Sequence, residues 1–225
     1  MSKLISLDEK ILVAGASGMA GSAICRSLFN SGYGNKDLGG IVLTPSRQEL
    51  NLLNIKDVRK WFDVNKPSIV IIAAAKVGGI LANKNNPTDF ILNNLKIQNN
   101  LIETSWKFGV KRLLFLGSSC IYPKDCEQPI KEEYLLTGEL ETTNQWYAIA
   151  KIAGIKLCAA LREQYNFDAI SLMPTNLYGP GDNYNELNSH VFASFIRKFY
   201  QAEKDSINSV TCWGTGKPLR EFMHV

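Results

Sequence analysis

Short apolar runs rich in β-branched residues alternate along this chain with longer segments of helical spacing, and that alternation constrains the fold more than any other feature. The runs lie at Lys10–Ala14, Ile41–Leu43, Ser68–Ala74, Arg112–Gly117, Asp168–Met173 and Ser209–Trp213. The helical segments cover Met19–Ser31, Asn54–Asn65, Pro87–Phe108, Gln145–Tyr165 and Val191–Lys204. Runs apolar at successive positions suit strands buried on both faces, as in a parallel sheet covered by helices on each side. The expected fold is therefore α/β, a doubly wound parallel sheet. A Gly-rich excursion over residues 31–40 lengthens the loop before the second strand, and no repeat or low-complexity segment interrupts the pattern.

The turn between the first strand and the first helix reads Gly15-Ala16-Ser17-Gly18-Met19-Ala20-Gly21. Glycines there permit a tight turn and let backbone approach a pyrophosphate, while the helix N-terminus offers free N–H groups and the positive end of its dipole. In a strand–turn–helix context this points to dinucleotide binding. The spacing G-x-x-G-x-x-G leans toward the short-chain dehydrogenase variant. After the second strand, NAD-binding folds usually carry an acidic residue for the ribose 2′-hydroxyl. Here Thr44-Pro45-Ser46-Arg47 follows, with no carboxylate before Glu49. Arg47 is suited to a 2′-phosphate, which predicts NADP(H) as the cofactor; the competing reading is a solvated surface arginine.

Tyr147 and Lys151, four apart on the helix Gln145–Tyr165, share one face. A phenol is a weak acid near neutrality, and a neighbouring ammonium is expected to favour its phenolate. Upstream, the strand Arg112–Gly117 runs into Ser118-Ser119-Cys120. Ser118 offers a hydroxyl to a substrate carbonyl, and side chains at i and i+2 of a strand end point the same way, so Cys120 is expected in the same pocket.

These segments together resemble the GDP-L-fucose synthase group of the extended short-chain dehydrogenase/reductase family. The resemblance is carried by Ala73-Ala-Ala-Lys-Val-Gly-Gly79, Leu116-Gly-Ser-Ser-Cys-Ile-Tyr-Pro123, Tyr147-Ala-Ile-Ala-Lys-Ile-Ala-Gly-Ile-Lys156 and Met173-Pro-Thr-Asn-Leu-Tyr-Gly-Pro180. Asn188-Ser-His-Val191 and Trp213-Gly-Thr-Gly-Lys-Pro-Leu-Arg-Glu-Phe222 extend it, so that it covers essentially Ile11 to Val225.

The resemblance implies a Rossmann-type NADP-binding domain over 1–175 and the start of a substrate-binding region over 176–225. It implies epimerisation at C3 and C5 of GDP-4-keto-6-deoxy-D-mannose, followed by reduction of C4 with NADPH. The C–H bonds flanking the keto group are acidified, and inversion needs a base on one face and an acid on the other. Cys120 and His190 match that pair; a thiol and an imidazole ordinarily titrate at about 8.5 and about 6.5, which suits proton traffic near neutrality. Ser118 and Tyr147 would stabilise the enolate, and Lys151 would hold the cofactor ribose. The cofactor would lie along Gly15–Gly21, Arg47, Leu116, Gly117, Ser118, Ser119, Lys151, Pro174, Thr175, Asn176, Leu177 and His190. Lys198, Trp213 and Arg220 match positions contacting the nucleotide-sugar diphosphate and base, with Lys198 in place of a frequent arginine. Relatives of this type pair the helices Pro87–Phe108 and Tyr147–Tyr165 across a two-fold axis, implying a homodimer. Where such relatives continue, this chain stops at Met223-His-Val225, which predicts poor turnover by the chain alone.

Composition narrows the alternatives. The net charge is +4 with Lys and Arg scattered among Asp and Glu, so a nucleic-acid partner is not expected. The longest apolar run, Ile69–Ala75, is too short for a membrane span, and no signal-peptide core opens the chain, so a cytoplasmic location is expected. An odd set of cysteines at 25, 120, 126, 158 and 212, with only His190 and His224 beside them, argues against a metal site or a disulfide framework. The remaining readings are another nucleotide-sugar epimerase or dehydratase of this fold, and a non-catalytic dinucleotide-binding protein.

Overall fold

The computed structural model describes residues 4–185, 189–212, 214–217 and 219–225. Strands β1 (Lys10–Ala14), β2 (Ile41–Leu43), β3 (Ile69–Ile72), β4 (Arg112–Leu116) and β5 (Ala169–Leu172) form one sheet in the order β2-β1-β3-β4-β5. Every neighbouring pair is parallel, with Leu12 opposite both Leu43 and Val70, and Phe115 opposite Ile72 and Ser171. The crossovers are helical: α1 (Met19–Asn30), α2 (Ile55–Asn65), α3 (Ile80–Asn85), α4 (Pro87–Lys107) and α5 (Gln145–Tyr165). The expected doubly wound α/β fold is present.

Alternation along the strands divides the core. Leu12, Ala14, Val70, Ile72, Leu113, Phe115 and Ala169 face one side, against Val58 and Phe62 of α2, Leu101 and Ile102 of α4, and Cys158 and Leu161 of α5. Ile11, Val13, Ile69 and Ile71 face the other side, against Ile24, Cys25 and Leu28 of α1. Burying each large apolar side chain contributes about 1.5–3 kcal/mol, so two-sided coverage is what makes unbroken apolar strands favourable. On the α1 side, β5 at the sheet edge leaves Ile170 and Leu172 uncovered, 40% and 49% exposed.

Local chemistry fixes the helix ends. The Asn54 side chain caps α2 by accepting from Lys56 N–H at 3.0 Å, and the helix stops at Lys66 in the left-handed region. Pro87 opens α4, with Asp89 in its first turn and Lys107 in its last, complementing the dipole. Asn166, also left-handed, ends α5.

After β5 the chain leaves the main sheet. Strand β6 (Asn176–Tyr178) pairs in parallel with β7 (Phe222–His224), and α6 (Val191–Lys204) lies between them in sequence. One expectation is corrected here. Residues 209–212 form no strand, and Trp213 lies outside the described residues; 209–211 run beside the polar face of α6, and β6 pairs with β7. The short helix α3 and strands β6 and β7 carry too few residues for their periodicity to register in the sequence.

Candidate active site

The loop at the C-terminal end of β1 is shaped by close backbone approach. Gly15 has φ +88, and a Cβ there would meet Ala74 N at 2.6 Å. A Cβ on Gly21 would meet Gly15 O at 2.0 Å, so α1 packs directly onto the turn that precedes it. Gly18 is different: the nearest atom to its Cβ would be Gly15 O at 3.4 Å, and it faces solvent. It is the N-cap of α1 and offers no capping side chain, so the first-turn N–H groups have no side-chain acceptor from that residue. Ser17 and Gly18 are exposed beside them. A glycine-walled cradle at a helix N-terminus fits a dinucleotide pyrophosphate.

The loop after β3 forms the neighbouring wall. Ala73 N–H continues the ladder to Ala14 O at 2.9 Å, and Asn94 of α4 clamps the next turn. Its Oδ1 accepts from Lys76 N–H at 2.8 Å, while its Nδ2 donates to Lys76 O at 3.0 Å and Phe90 O at 2.7 Å. Asn94 thus fixes the segment against which Gly15 packs. Sequence reasoning missed it; a buried asparagine on the inner face of an apolar helix was the available signal.

The second cluster forms where β4 and β5 end together. Gly117 N–H donates to Leu172 O at 2.7 Å, and Ser119 N–H donates to Pro174 O at 3.2 Å. Ser118 Oγ accepts from Cys120 N–H at 3.4 Å and caps a 3₁₀ turn over Ser119–Ile121. Cys120 is therefore brought to the pocket by a turn rather than by strand alternation. On α5, Lys151 is buried and its Nζ donates to Leu116 O at 2.7 Å, 4.7 Å from the Phe115 ring centroid and 5.7 Å from that of Tyr147. Gln98 Nε2 donates to Ala150 O at 2.5 Å, and Gly154 lets Phe115 and Gln98 reach the helix, setting the depth of α5 against the sheet.

The electrostatics depart from expectation at one point. Burial, with the nearby Cys120, pushes the Tyr147 phenol well above its ordinary range, and only a hydrogen bond with Ser118 opposes this. Burial also lowers Lys151 to about 8, with Cys120 opposing. Burial raises the Cys120 thiol, against smaller opposing contributions from Ser118 and the Lys151 charge.

A family model described as the NAD dependent epimerase/dehydratase family matches residues 11–225. The chain belongs to this family. It is a homologue of GDP-L-fucose synthases: it is 53% identical to GDP-L-fucose synthase 1 of Arabidopsis thaliana over 225 residues, covering 100% of this chain and 68% of that protein. It is 49% identical to the Escherichia coli K12 GDP-L-fucose synthase, covering 96% of this chain and 66% of that one. The chain thus spans about two thirds of the length of these relatives. Among solved structures, a GDP-L-fucose synthetase from Naegleria fowleri bound to NADP superposes with a TM-score of 0.85 at 31% identity, over 98% of this chain and 70% of that one. A GDP-mannoheptose C4 reductase from Campylobacter jejuni with NADP bound gives 0.86 at 34%, over 98% and 72%.

The other residues singled out in this epimerase/dehydratase chain are dispersed. Arg47 is exposed in the turn after β2, while Glu49 is drawn back onto that turn, its carboxylate accepting from Ser46 N–H at 2.7 Å. Thr175 Oγ1 and Asn176 Nδ2 both donate to Glu221 O, at 2.8 and 2.9 Å, which ties Pro174–Leu177 to the approach to β7. His190 is exposed at the N-cap of α6, and no hydrogen bond joins it to Cys120 among the described residues. Lys198 Nζ donates to Thr211 O at 3.2 Å, and Arg220 is exposed, donating to Leu219 O at 2.8 Å. Trp213 lies outside the described residues. No helix among the described residues is long and apolar enough to cross a membrane, and none of their His, Cys, Asp and Glu side chains form a metal-holding group.

Proposed function

We propose that the chain epimerises C3 and C5 of GDP-4-keto-6-deoxy-D-mannose and reduces C4 to give GDP-L-fucose. The observation that carries this reading is the cluster of Ser118, Cys120, Tyr147 and Lys151 at the shared end of β4, β5 and α5, in a chain 53% identical to a GDP-L-fucose synthase. A base at Cys120 removes the proton flanking the C4 carbonyl, and an acid on the opposite face, His190 in this reading, returns one with inverted configuration. Ser118 and Tyr147 donate to the enolate oxygen while it carries charge. Burial holds the Cys120 thiol above its ordinary range, and the Ser118 hydrogen bond, then the Lys151 charge, favour its thiolate against that.

The glycine cradle of Gly15 and Gly21, with Arg47, Leu116–Ser119, Lys151 and Pro174–Leu177, would hold NADP(H). When bound, NADPH supplies the hydride for C4. Tyr147, its proton held tightly by burial, gives that proton to the C4 oxygen. Conversion of the 4-keto sugar nucleotide and NADPH to GDP-L-fucose tests the assignment. A second reading, reduction at C4 without epimerisation, is favoured by the likeness to the C4 reductase from Campylobacter jejuni. Cys120 in the pocket favours the first.

The cofactor preference follows from charge. Arg47 is the exposed cation beside β2, and Glu49 is occupied within its own turn. Calorimetric titration is expected to give tighter binding of NADPH than NADH, with Arg47→Ala erasing about tenfold of that preference. Equal affinities in the parent protein would remove the argument.

A homodimer is also part of this reading. Helices α4 and α5 lie side by side, and away from the sheet they leave Leu92, Trp146, Ile149 and Ala153 exposed. An amphipathic helix with apolar residues on its outer face gains by covering them. Light scattering at micromolar concentration is expected to give twice the chain mass, reduced to one chain by Ile149→Glu. A monomeric parent protein would contradict it.

A further inference from the structure

Asparagine is among the residues best suited to cap a helix, because its side-chain oxygen can accept from the free N–H groups of the first turn. Elsewhere in this chain it does so: Asn35 accepts from Asp37 N–H at 2.9 Å, and Asn54 from Lys56 N–H at 3.0 Å. Asn144 stands at the N-cap of α5 and behaves differently. Its backbone carbonyl starts the helix by accepting from Ala148 N–H at 3.1 Å, yet its side chain makes no capping hydrogen bond. Oδ1 of Asn144 is nevertheless removed from solvent, and it has no hydrogen-bond partner among the described residues. The neighbouring groups are satisfied locally: Glu141 Oε1 accepts from Thr143 N–H at 3.3 Å, and Gln145 Nε2 donates to Thr142 O at 3.1 Å. A buried acceptor left unpaired is costly, so an asparagine held here without capping points to a donor that the folded chain does not itself supply.

The place of Asn144 in the site says which donor. Asn144, Tyr147, Ala148 and Lys151 follow the i, i+3, i+4, i+7 spacing of one helix face. Residues three apart on such a face stand about 5–6 Å from one another at Cβ. The carboxamide therefore lies one turn before the phenol that, in the reading above, meets the C4 oxygen of the sugar. The two carbons flanking C4 differ chemically. C3 carries a hydroxyl, which can donate to an amide oxygen, whereas C5 carries the ring oxygen and a methyl group and has no donor to offer.

We propose that Asn144 accepts a hydrogen bond from the C3 hydroxyl of the keto sugar and is a sugar-binding residue of the candidate active site. The inference rests on the function proposed above. Proton removal at C3 requires the C3–H bond to stand across the plane of the C4 carbonyl, and a fixed C3 hydroxyl sets that orientation. Asn144 thereby governs enolisation towards C3 and has little hold on C5.

The test is deuterium incorporation from deuterated water into GDP-4-keto-6-deoxy-D-mannose, read separately at C3 and C5 in the parent protein, Asn144→Ala and Asn144→Ser. Both substitutions are expected to slow exchange at C3 by about 10–30-fold and at C5 by no more than about threefold. The melting temperature of Asn144→Ala should fall by less than about 2 °C, because the side chain removed caps nothing. The same 4-keto sugar nucleotide without its C3 hydroxyl is the chemical counterpart. In NADPH-dependent reduction, Asn144→Ala should raise KM about tenfold for the hydroxylated sugar and leave it within about twofold for the deoxy one. The proposal is overturned if exchange at C3 and C5 falls equally, if the melting temperature falls further than that, or if the variant loses as much on the deoxy sugar as on the hydroxylated one. A parent protein that reduces both sugars without exchange at C3 or C5, with the KM rise still confined to the hydroxylated sugar, keeps the hydroxyl contact and loses the epimerase reading. A parent protein that turns over neither sugar overturns both.

Discussion

Tyr147→Phe is expected to slow NADPH consumption on the 4-keto sugar nucleotide by about a thousandfold while leaving proton exchange at C3 and C5 within about tenfold. The phenol is the group positioned by α5 beside Ser118, and burial keeps its proton on, which suits an acid that donates only when negative charge develops on the C4 oxygen. Removing the hydroxyl leaves that oxygen without its proton source. The Ser118 hydroxyl remains to stabilise the enolate during epimerisation. Cys120→Ser should give the opposite pattern, because a serine hydroxyl is a far weaker base than a thiolate. Single-turnover absorbance of NADPH, with mass analysis of the sugar recovered from deuterated water, reads both steps separately. Equal losses of exchange and reduction in Tyr147→Phe would show that the two half-reactions do not divide between these residues.

Lys151→Met is expected to abolish reduction and yet raise the melting temperature of the protein without cofactor by about 2–6 °C at pH 7, from about 1–2 kcal/mol of added stability. Burial lowers the folded-state pKa of Lys151 to about 8, against 10.5 for the ordinary side chain. Below pH 8 the lysine is charged in both states, and the folded state carries the full desolvation cost, about 3 kcal/mol from the size of the shift. Between pH 8 and 10.5 the unfolded chain holds a proton that the folded one has released. Stability contributed at this position therefore rises with pH through that window. Methionine removes the charge at similar length, and the loss of the bond to Leu116 O offsets part of the gain. The variant's advantage should shrink as the pH is taken from 7 to 10. An advantage that stays constant, or a variant less stable at pH 7, would mean that Lys151 is not held against its own solvation.

The main sheet was legible because its central strands are buried on both faces, and Ile11–Ala14 and Ile69–Ile72 could be neither loop nor surface. The glycine loop was legible for an equally physical reason: Gly15 and Gly21 sit where any Cβ would strike backbone. Residues 209–212 were misread because a short apolar run beside a cavity resembles a strand when no partner edge can be seen. Strand β7 escaped notice because Phe222–His224 is exposed and three residues long, and is held by pairing to β6. Asn94 and Gln98 escaped because their roles are set by what α4 faces, Lys76 and Ala150, and neither is near them in sequence. The Tyr147 phenol lies above rather than below its ordinary range because spacing fixes a shared face but not how deeply that face is buried.

The most direct test of the central claim is incubation of the protein with GDP-4-keto-6-deoxy-D-mannose in deuterated water, before and after NADPH is added. The account predicts deuterium at both C3 and C5 of the sugar without NADPH, and afterwards GDP-L-fucose with one NADPH consumed per sugar. Oxidation of NADPH to a product that keeps the original configuration and hydrogen at C3 and C5 would contradict it, leaving a C4 reductase in its place.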